Sequence, residues 1–354
     1  MKIALLIDSL TSGGAQRQMV LLGNQLCERG HVVSIITYHQ LDFYRPFLSE
    51  RIHYRYVTEA SNTMRRIPAL YHTLKQLDAD VVISYLDMPN IIACICKLIG
   101  LRCKLIVSER NTTQHLLLTE RIKFHLYRVA DAIVPNSHTQ TEFIEQHYPR
   151  LKDKLTTITN SAETDFFVPD QSVKKESKTV LCVGRVTQQK NIIRFIEAVA
   201  MARAEGLVIT VKWFGRHDKG YYEQCVQEIA RCGVQDHFQF YDASQDIRTE
   251  YQRAEVFCLP SIFEGFPNVV GEAMCCGLPI LCSDVCDNRI LVKHGDNGLL
   301  FDPLDVDSIR DALVKFFGLT QKEKINMAHQ SRERAVEILN KETFIQKYLN
   351  VIEK

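Results

Sequence analysis

Short apolar runs alternate with longer amphipathic ones along the first half of the chain. The runs at 2–7, 32–37, 81–85, 104–108, 132–135 and 155–158 are rich in Val and Ile without strict alternation. That pattern predicts parallel strands covered on both faces. Between them, 16–29, 63–76, 89–98, 119–129 and 138–146 read as amphipathic helices. Strand and helix in regular alternation predict a doubly wound α/β domain. The pattern breaks at 160–177, where Pro169-Asp170-Gln171-Ser172 and Lys174-Lys175-Glu176-Ser177-Lys178 suit a linker. A second series follows, with strands predicted at 179–183, 208–213, 238–241, 255–259 and 279–283. After Pro303 the chain reads as mostly helical to Lys354. Two Rossmann-like halves joined by a linker predict two domains facing across a cleft.

Bulk properties narrow the class. The 354 residues are 46% hydrophobic and 24% charged, as in a soluble globular protein of two domains. A net charge of +1 argues against a nucleic-acid binder. The longest apolar stretch, near 91–99, is far short of the roughly 20 residues of a membrane span. The segment Met1-Lys2-Ile3-Ala4-Leu5-Leu6-Ile7-Asp8 is a strand pattern without a signal-peptide cleavage site, so a cytoplasmic location is expected. The twelve cysteines include no C-x-x-C and fall mostly in apolar segments, as buried free thiols do in a reducing compartment. A zinc site would have to be assembled from Cys282, Cys286 and His294, whose spacing is not a known ligand pattern.

Three strand-to-helix junctions carry candidate chemistry. The first is Asp8-Ser9-Leu10-Thr11-Ser12-Gly13-Gly14-Ala15-Gln16. Two glycines before a helix let backbone N–H groups approach an anion, although glycines also serve ordinary turns. It is not a G-x-G-x-x-G dinucleotide fingerprint. The second is Val183-Gly184-Arg185-Val186-Thr187-Gln188-Gln189-Lys190-Asn191. Arg185 and Lys190 flanking one loop suit a diphosphate, Arg as a planar fork and Lys as a point charge; two solvated cations would leave the same trace. The third is Ser261-Ile262-Phe263-Glu264-Gly265-Phe266-Pro267-Asn268-Val269-Val270-Gly271-Glu272. Pro267 fits the first helical position, and Gly277 with Pro279 fits the helix end. Glu264 then lies on the turn and Glu272 in the second helical turn. Each carboxylate is able to hold a diol; as an isolated pair they are also ordinary surface acids.

Together these segments resemble the retaining, nucleotide-sugar-dependent glycosyltransferases of family 4, over nearly the whole chain. The most specific match is Glu264 and Glu272 with seven residues between them, followed by Ala273-Met274-Cys275-Cys276-Gly277-Leu278-Pro279. Gly13-Gly14-Ala15-Gln16-Arg17, Val183-Gly184-Arg185, Gln189-Lys190-Asn191 and Gly295-Asp296-Asn297-Gly298-Leu299-Leu300 support it. The resemblance implies the GT-B fold, with an acceptor-binding domain at 1–165, a nucleotide-sugar-binding domain at 166–335, and a last helix at 336–354 crossing back to the first domain. It implies that Arg185 and Lys190 neutralise the donor diphosphate, that Glu272 accepts from the ribose, and that Glu264 holds the transferred sugar. Gly14 would lie near the diphosphate or the sugar from the opposite domain, Gly184, Gly215 and Arg216 would lie on the nucleotide side, and Phe266, Pro267 and Asn268 would border the sugar pocket. No metal and no separate cofactor is expected, since the nucleotide sugar is itself a substrate.

The chain departs from the family pattern in places. Where many members carry a histidine after the strand ending Val107-Ser108, this chain has Glu109 and Arg110, with His115 further on; each is a candidate substrate contact. The nucleotide-side motif reads Gly215-Arg216-His217, without its second glycine. These changes bear on base and sugar selectivity more than on the reaction. Arg51, Arg55, Arg65 and Arg66, interleaved with Tyr54, Tyr56 and Tyr71, form a basic and aromatic cluster suited to anionic headgroups at a membrane face. The expected function is transfer of a sugar, from a UDP-sugar, to a glycan or lipid-linked acceptor in polysaccharide, lipopolysaccharide or glycoconjugate synthesis. The competing readings are a sugar-nucleotide epimerase on the same fold, a hydrolase using the two acids, and a silent nucleotide-sugar-binding subunit.

Overall fold

The computed structural model describes residues 1–354, the side chain of Thr63 excepted. The chain divides into two units, Met1–Asn160 with Glu342–Lys354, and Ser161–Lys341. In the first, the elements run β1 (Lys2–Leu6), α1 (Gly14–Glu28), β2 (Val32–Thr37), β3 (His53–Tyr56), α2 (Thr63–Leu77), β4 (Val81–Tyr85), α3 (Asp87–Leu98), β5 (Lys104–Glu109), α4 (Leu118–Leu126), β6 (Ala132–Pro135) and α5 (His138–His147). The second contains β7 (Thr179–Val183), α6 (Ile192–Ala204), β8 (Thr210–Phe214), α7 (Lys219–Cys232), β9 (Phe238–Tyr241), α8 (Ile247–Arg253), β10 (Val256–Leu259), α9 (Asn268–Cys275), β11 (Ile280–Ser283), α10 (Asn288–Leu291), β12 (Gly298–Phe301), α11 (Val306–Gly318) and α12 (Gln321–Ile338). The last helix, α13, covers Lys341–Glu353.

The first sheet has the order β3-β2-β1-β4-β5-β6 and the second β12-β11-β10-β7-β8-β9. All neighbouring strands are parallel. Counted within its unit, each sheet therefore has the same order, 3-2-1-4-5-6. The winding reverses between β1 and β4 in one sheet and between β7 and β10 in the other. Ligands bind outside the carboxyl ends of strands at such a reversal.

The lack of alternation in the strands follows from burial on both faces. Ile3 and Leu5 of β1 pack with Met19, Leu22 and Ile35, whereas Ala4 and Leu6 join Leu70, Val82 and Ile92. The second sheet divides likewise: Val180 and Cys182 face Trp213 and Phe195, while Leu181 faces Phe257, Tyr251 and Met274. The cysteines belong to this packing. All twelve are free thiols, and burial pushes Cys94 and Cys96 up to about 12, away from the reactive thiolate. Among the described residues no three metal-ligating side chains meet, and His294 Nδ1 instead accepts from the Leu300 N–H at 3.1 Å. Among the described residues no helix is long and apolar enough to cross a membrane.

Three strands depart from the expectation, one of them β12, Gly298-Leu299-Leu300-Phe301, which pairs with β11 at the sheet edge and was not predicted. The segment 155–158 is not a strand; it runs beside β6 and donates from Thr156 and Ile158 to the carbonyls of Ile133 and Pro135, both at 3.0 Å. Strand β3 forms instead from His53-Tyr54-Arg55-Tyr56, an edge strand whose residues alternate between exposed and half-buried. The arginine cluster there is drawn into local bonds. Arg51 reaches the Cys27 carbonyl at the end of α1. Arg66 donates to Ala60 O at 2.8 Å and lies over the Tyr38 ring. Arg55 reaches Gln76 Oε1 at 3.3 Å.

α13 packs into the first unit. Its Phe344, Ile345, Tyr348, Val351 and Ile352 join the core around β1 and α1. Tyr348 and Tyr85 share a hydroxyl hydrogen bond of 2.7 Å, and Lys104 Nζ donates to the Ile352 carbonyl at 2.9 Å.

Candidate active site

In the second unit, the loops leaving β7 and β10 emerge side by side at the reversal of the sheet, because those strands are hydrogen-bonded neighbours. The loops are stitched together. Ile262 N donates to the Gln189 carbonyl at 2.9 Å, and Gln189 Nε2 donates to the Phe263 carbonyl at 2.9 Å. Lys190 Nζ then meets Glu264 Oε1 at 2.5 Å. Both side chains are about nine-tenths buried, with 13% and 10% of their surface exposed. Thus the two residues predicted to hold the diphosphate and the sugar hold each other. Arg185 is exposed at the mouth of the same loop, two positions beyond the end of β7.

Close backbone packing explains the glycines. A Cβ on Gly184 would come within 2.9 Å of Lys190 Cε, so the lysine side chain lies directly over that residue. A Cβ on Gly215 would meet the Gly184 carbonyl oxygen at 2.1 Å. The same oxygen accepts from Trp213 Nε1 at 2.8 Å. Arg216 follows as an exposed side chain, and His217 stacks on Tyr222 with centroids 4.5 Å apart.

α9 begins one residue later than predicted. Pro267 is its N-cap and Asn268 its first residue. Phe266 is buried in the apolar cluster behind the loop. Glu272 falls in the second turn and is 4% exposed. Tyr251 of α8, itself fully buried, donates its hydroxyl to Glu272 Oε2 at 3.1 Å. Nothing in the spacing of Tyr251 signalled this contact. Removing that hydroxyl leaves a mostly buried carboxylate with one donor fewer. On the expectation that Glu272 holds the donor ribose, Tyr251→Phe should cost about 1 kcal/mol of donor binding, seen as a roughly fivefold higher donor KM with kcat little changed.

In the first unit, Gly13 enters α1 in extended conformation and provides no side-chain cap, and Gly14 opens the helix. Gln16 folds back so that Nε2 donates to Asp8 Oδ1 at 3.1 Å, tying the glycine turn to the end of β1. Glu109 and Arg110 leave the end of β5 but are both buried. Glu109 accepts from Lys123 Nζ at 2.9 Å, from the Tyr127 hydroxyl, and from Gln140 Nε2 at 3.3 Å. Lys123 also reaches Asp87 Oδ1 at 2.9 Å. Burial pushes the Glu109 carboxyl above its usual range, partly offset by Lys123. Burial alone would lower the Lys123 ammonium, but Glu109 and Asp87 outweigh it and hold the group charged. Arg110 lies over the Tyr85 ring, 4.5 Å from its centroid, and donates to Asn160 Oδ1. His115 is exposed. Sequence reasoning missed Lys123 as the buried partner of Glu109; the signal available was a lysine between Ile122 and Phe124 in an amphipathic helix.

Comparison with known proteins decides the family. The description "Glycosyltransferase Family 4" matches residues 12–166 and "Glycosyl transferases group 1" matches 164–335. A relative from Campylobacter jejuni is 30% identical over 311 residues, 85% of this chain and 84% of its own length. This chain is a family 4 glycosyltransferase. That relative is described as a GalNAc-α-(1→4)-GalNAc-α-(1→3)-diNAcBac-PP-undecaprenol α-1,4-N-acetyl-D-galactosaminyltransferase. A second Campylobacter jejuni relative, an N-acetylgalactosamine-N,N'-diacetylbacillosaminyl-diphospho-undecaprenol 4-α-N-acetylgalactosaminyltransferase, is 22% identical and covers 94% of each chain. Among solved structures, Anabaena HepE in complex with UDP-glucose superposes with a TM-score of 0.88 at 17% identity, over 100% of the glycosyltransferase and 99% of HepE. The fold is thus GT-B.

Proposed function

We propose that this glycosyltransferase takes a sugar from a UDP-sugar, passes it to a lipid-linked or glycan acceptor with retention at the anomeric carbon, and needs no metal ion. The observation that carries the reading is the Lys190–Glu264 pair at the sheet reversal. A donor diphosphate offers Lys190 a doubly charged partner, with the exposed Arg185 as second cation. Glu264 is then released to accept from sugar hydroxyls, and Glu272, steadied by Tyr251, accepts from the ribose. In the reaction, the bond from the anomeric carbon to the diphosphate oxygen breaks as the acceptor oxygen bonds that carbon on the same face. The acceptor's hydroxyl proton passes to the departing UDP. Negative charge grows on the leaving phosphate, where Lys190 and Arg185 stabilise it most.

The relatives support the rest. Both Campylobacter proteins act on undecaprenol-linked acceptors and form α linkages. An α linkage built from an α-linked nucleotide sugar implies retention. HepE, of the same fold, was solved with UDP-glucose. In the first unit, the exposed His115 is the candidate for the acceptor, while Glu109 and Arg110 support the surface from below. A thermal-shift screen of nucleotide sugars tests the donor, because a ligand of the native state raises Tm by mass action. The expected result is a shift with UDP and with one UDP-sugar, turnover indifferent to EDTA, and an α-linked product by NMR. A shift confined to GDP- or ADP-sugars overturns the base, lost turnover in EDTA overturns metal independence, and a β-linked product overturns retention.

A further inference from the structure

We infer that Gln140 is a positioning residue for the reaction: its buried carboxamide sets the loop that follows β5, and the exposed side chains of that loop read the saccharide of the acceptor. The inference deepens the reading of a lipid-linked or glycan acceptor and rests on it. The loop, residues 111–117, leads from β5 to α4 and belongs to no helix or strand. It leaves the carboxyl end of a parallel strand, the edge of such a sheet at which ligands bind. Asn111, Gln114 and His115 are exposed on it. Without a fixed reference such a loop samples many conformations, and ordering it on binding costs affinity.

Gln140 supplies the reference. It is the third residue of α5 and has no exposed surface. Its own N–H donates to Oγ of the N-cap Ser137 at 3.2 Å, so the helix cap fixes its backbone. Its side chain grips Thr113 at two points. Oε1 accepts from the Thr113 N–H at 2.8 Å, and Nε2 donates to Thr113 Oγ1 at 2.9 Å. Nε2 also donates to Glu109 Oε2 at 3.3 Å. A carboxylate only accepts, so Glu109 dictates which end of the amide faces it and hence how the amide meets Thr113. Glu109 is in turn held by Lys123 and Tyr127. At Thr113 the loop is thereby tied to β5, α4 and α5 together.

The chemistry of the loop names its ligand. Asn111, Thr112, Thr113, Gln114 and His115 carry amide, hydroxyl and imidazole groups, and 111–117 contains no Asp, Glu, Lys or Arg. Arg110 at its base is turned inward, over the Tyr85 ring and to Asn160 Oδ1. Neutral groups that both donate and accept suit sugar hydroxyls, whereas a diphosphate calls for fixed cations. The loop is thus matched to the sugar part of a lipid-linked acceptor and not to its charged linker.

Steady-state kinetics and amide hydrogen exchange of the full-length protein test this. The donor is the UDP-sugar that raises Tm, and the acceptor probes are polyprenyl diphosphates carrying a mono-, di- or trisaccharide of N-acetylhexosamines. Gln140→Leu should raise acceptor KM about tenfold, with donor KM and the UDP thermal shift at wild-type values. Thr113→Val, which keeps the shape and loses the hydroxyl, should raise it about threefold. Thr113→Ser, which keeps the hydroxyl, should match the wild type. Gln140→Leu/Thr113→Val should be no worse than Gln140→Leu, because the two residues form one grip. In Gln140→Leu, exchange of peptides covering 110–117 should quicken about tenfold or more, while that of β4 stays slow. A normal acceptor KM in Gln140→Leu, a rise in donor KM instead, or unchanged exchange at 110–117 overturns the inference. A wild type inert toward every acceptor probe counts against the lipid-linked acceptor itself, and exchange then decides the grip.

Discussion

Lys190→Ala is expected to turn over about two to three orders of magnitude more slowly than the wild type, the loss of about 3–4 kcal/mol that follows removal of one preorganised partner of a developing charge. The cation is preorganised in two ways. Its side chain is laid over Gly184, where a Cβ would collide with it, and its ammonium is held 2.5 Å from Glu264. The substitution also leaves a carboxylate, only 10% exposed, without that cation. A stability loss of about 1–3 kcal/mol should therefore accompany the kinetic one. The double variant Lys190→Met/Glu264→Gln separates the two effects. Replacing both charges by neutral groups of similar size should return most of the melting temperature and none of the turnover. Wild-type kcat in Lys190→Ala, or recovered activity in the double variant, would remove Lys190 from the reaction.

Lys123→Met is expected to cost about 3–5 kcal/mol of stability near neutral pH. Removing one partner of a buried ion pair strands the other. Glu109 has no exposed side-chain surface and Lys123 only 5%. The loss should depend on pH with a definite sign. In the variant the Glu109 carboxyl titrates still higher, because burial remains and the ammonium is gone. A carboxyl raised in the folded state stabilises the fold below its unfolded value and loses that contribution as pH rises through the folded one. The gap between variant and wild type should thus narrow toward pH 4.5, the ordinary value of a glutamate, and widen toward neutrality. Denaturant unfolding across that range measures it. Lys123→Met/Glu109→Gln should recover much of the loss, and a pH-independent gap would contradict the account.

Much of this architecture is written in short apolar runs. β1, β4, β7 and β10 are legible because central parallel strands bury both faces and so carry unbroken Val, Ile and Leu. β3 is not, because an edge strand half in water reads as a polar segment of Arg and Tyr. The segment 155–158 misleads for the converse reason: its apolar ends resemble a strand, but it pairs with β6 through only two amides. The site shows the same limit. Lys190 and Glu264 were each visible at a strand-to-helix junction, yet they are 74 residues apart. Their contact depends on β7 and β10 being neighbours, which is a property of strand order and not of local pattern. Glu109 was visible too, but the groups that enclose it arrive with α4 and α5, at Lys123 and Gln140.

The excursion of the chain also orders its assembly in time. Nascent chains generally fold one domain after another from the amino terminus. Here the first unit lacks Phe344, Ile345, Tyr348 and Val351 of its own core until the entire second unit has been synthesised. Tyr85 must wait for the hydroxyl of Tyr348, 263 residues downstream. The unit begun first on the ribosome is therefore the one completed last, and a nascent chain stalled near residue 341 would expose the older half, not the newer one, to chaperones and proteases.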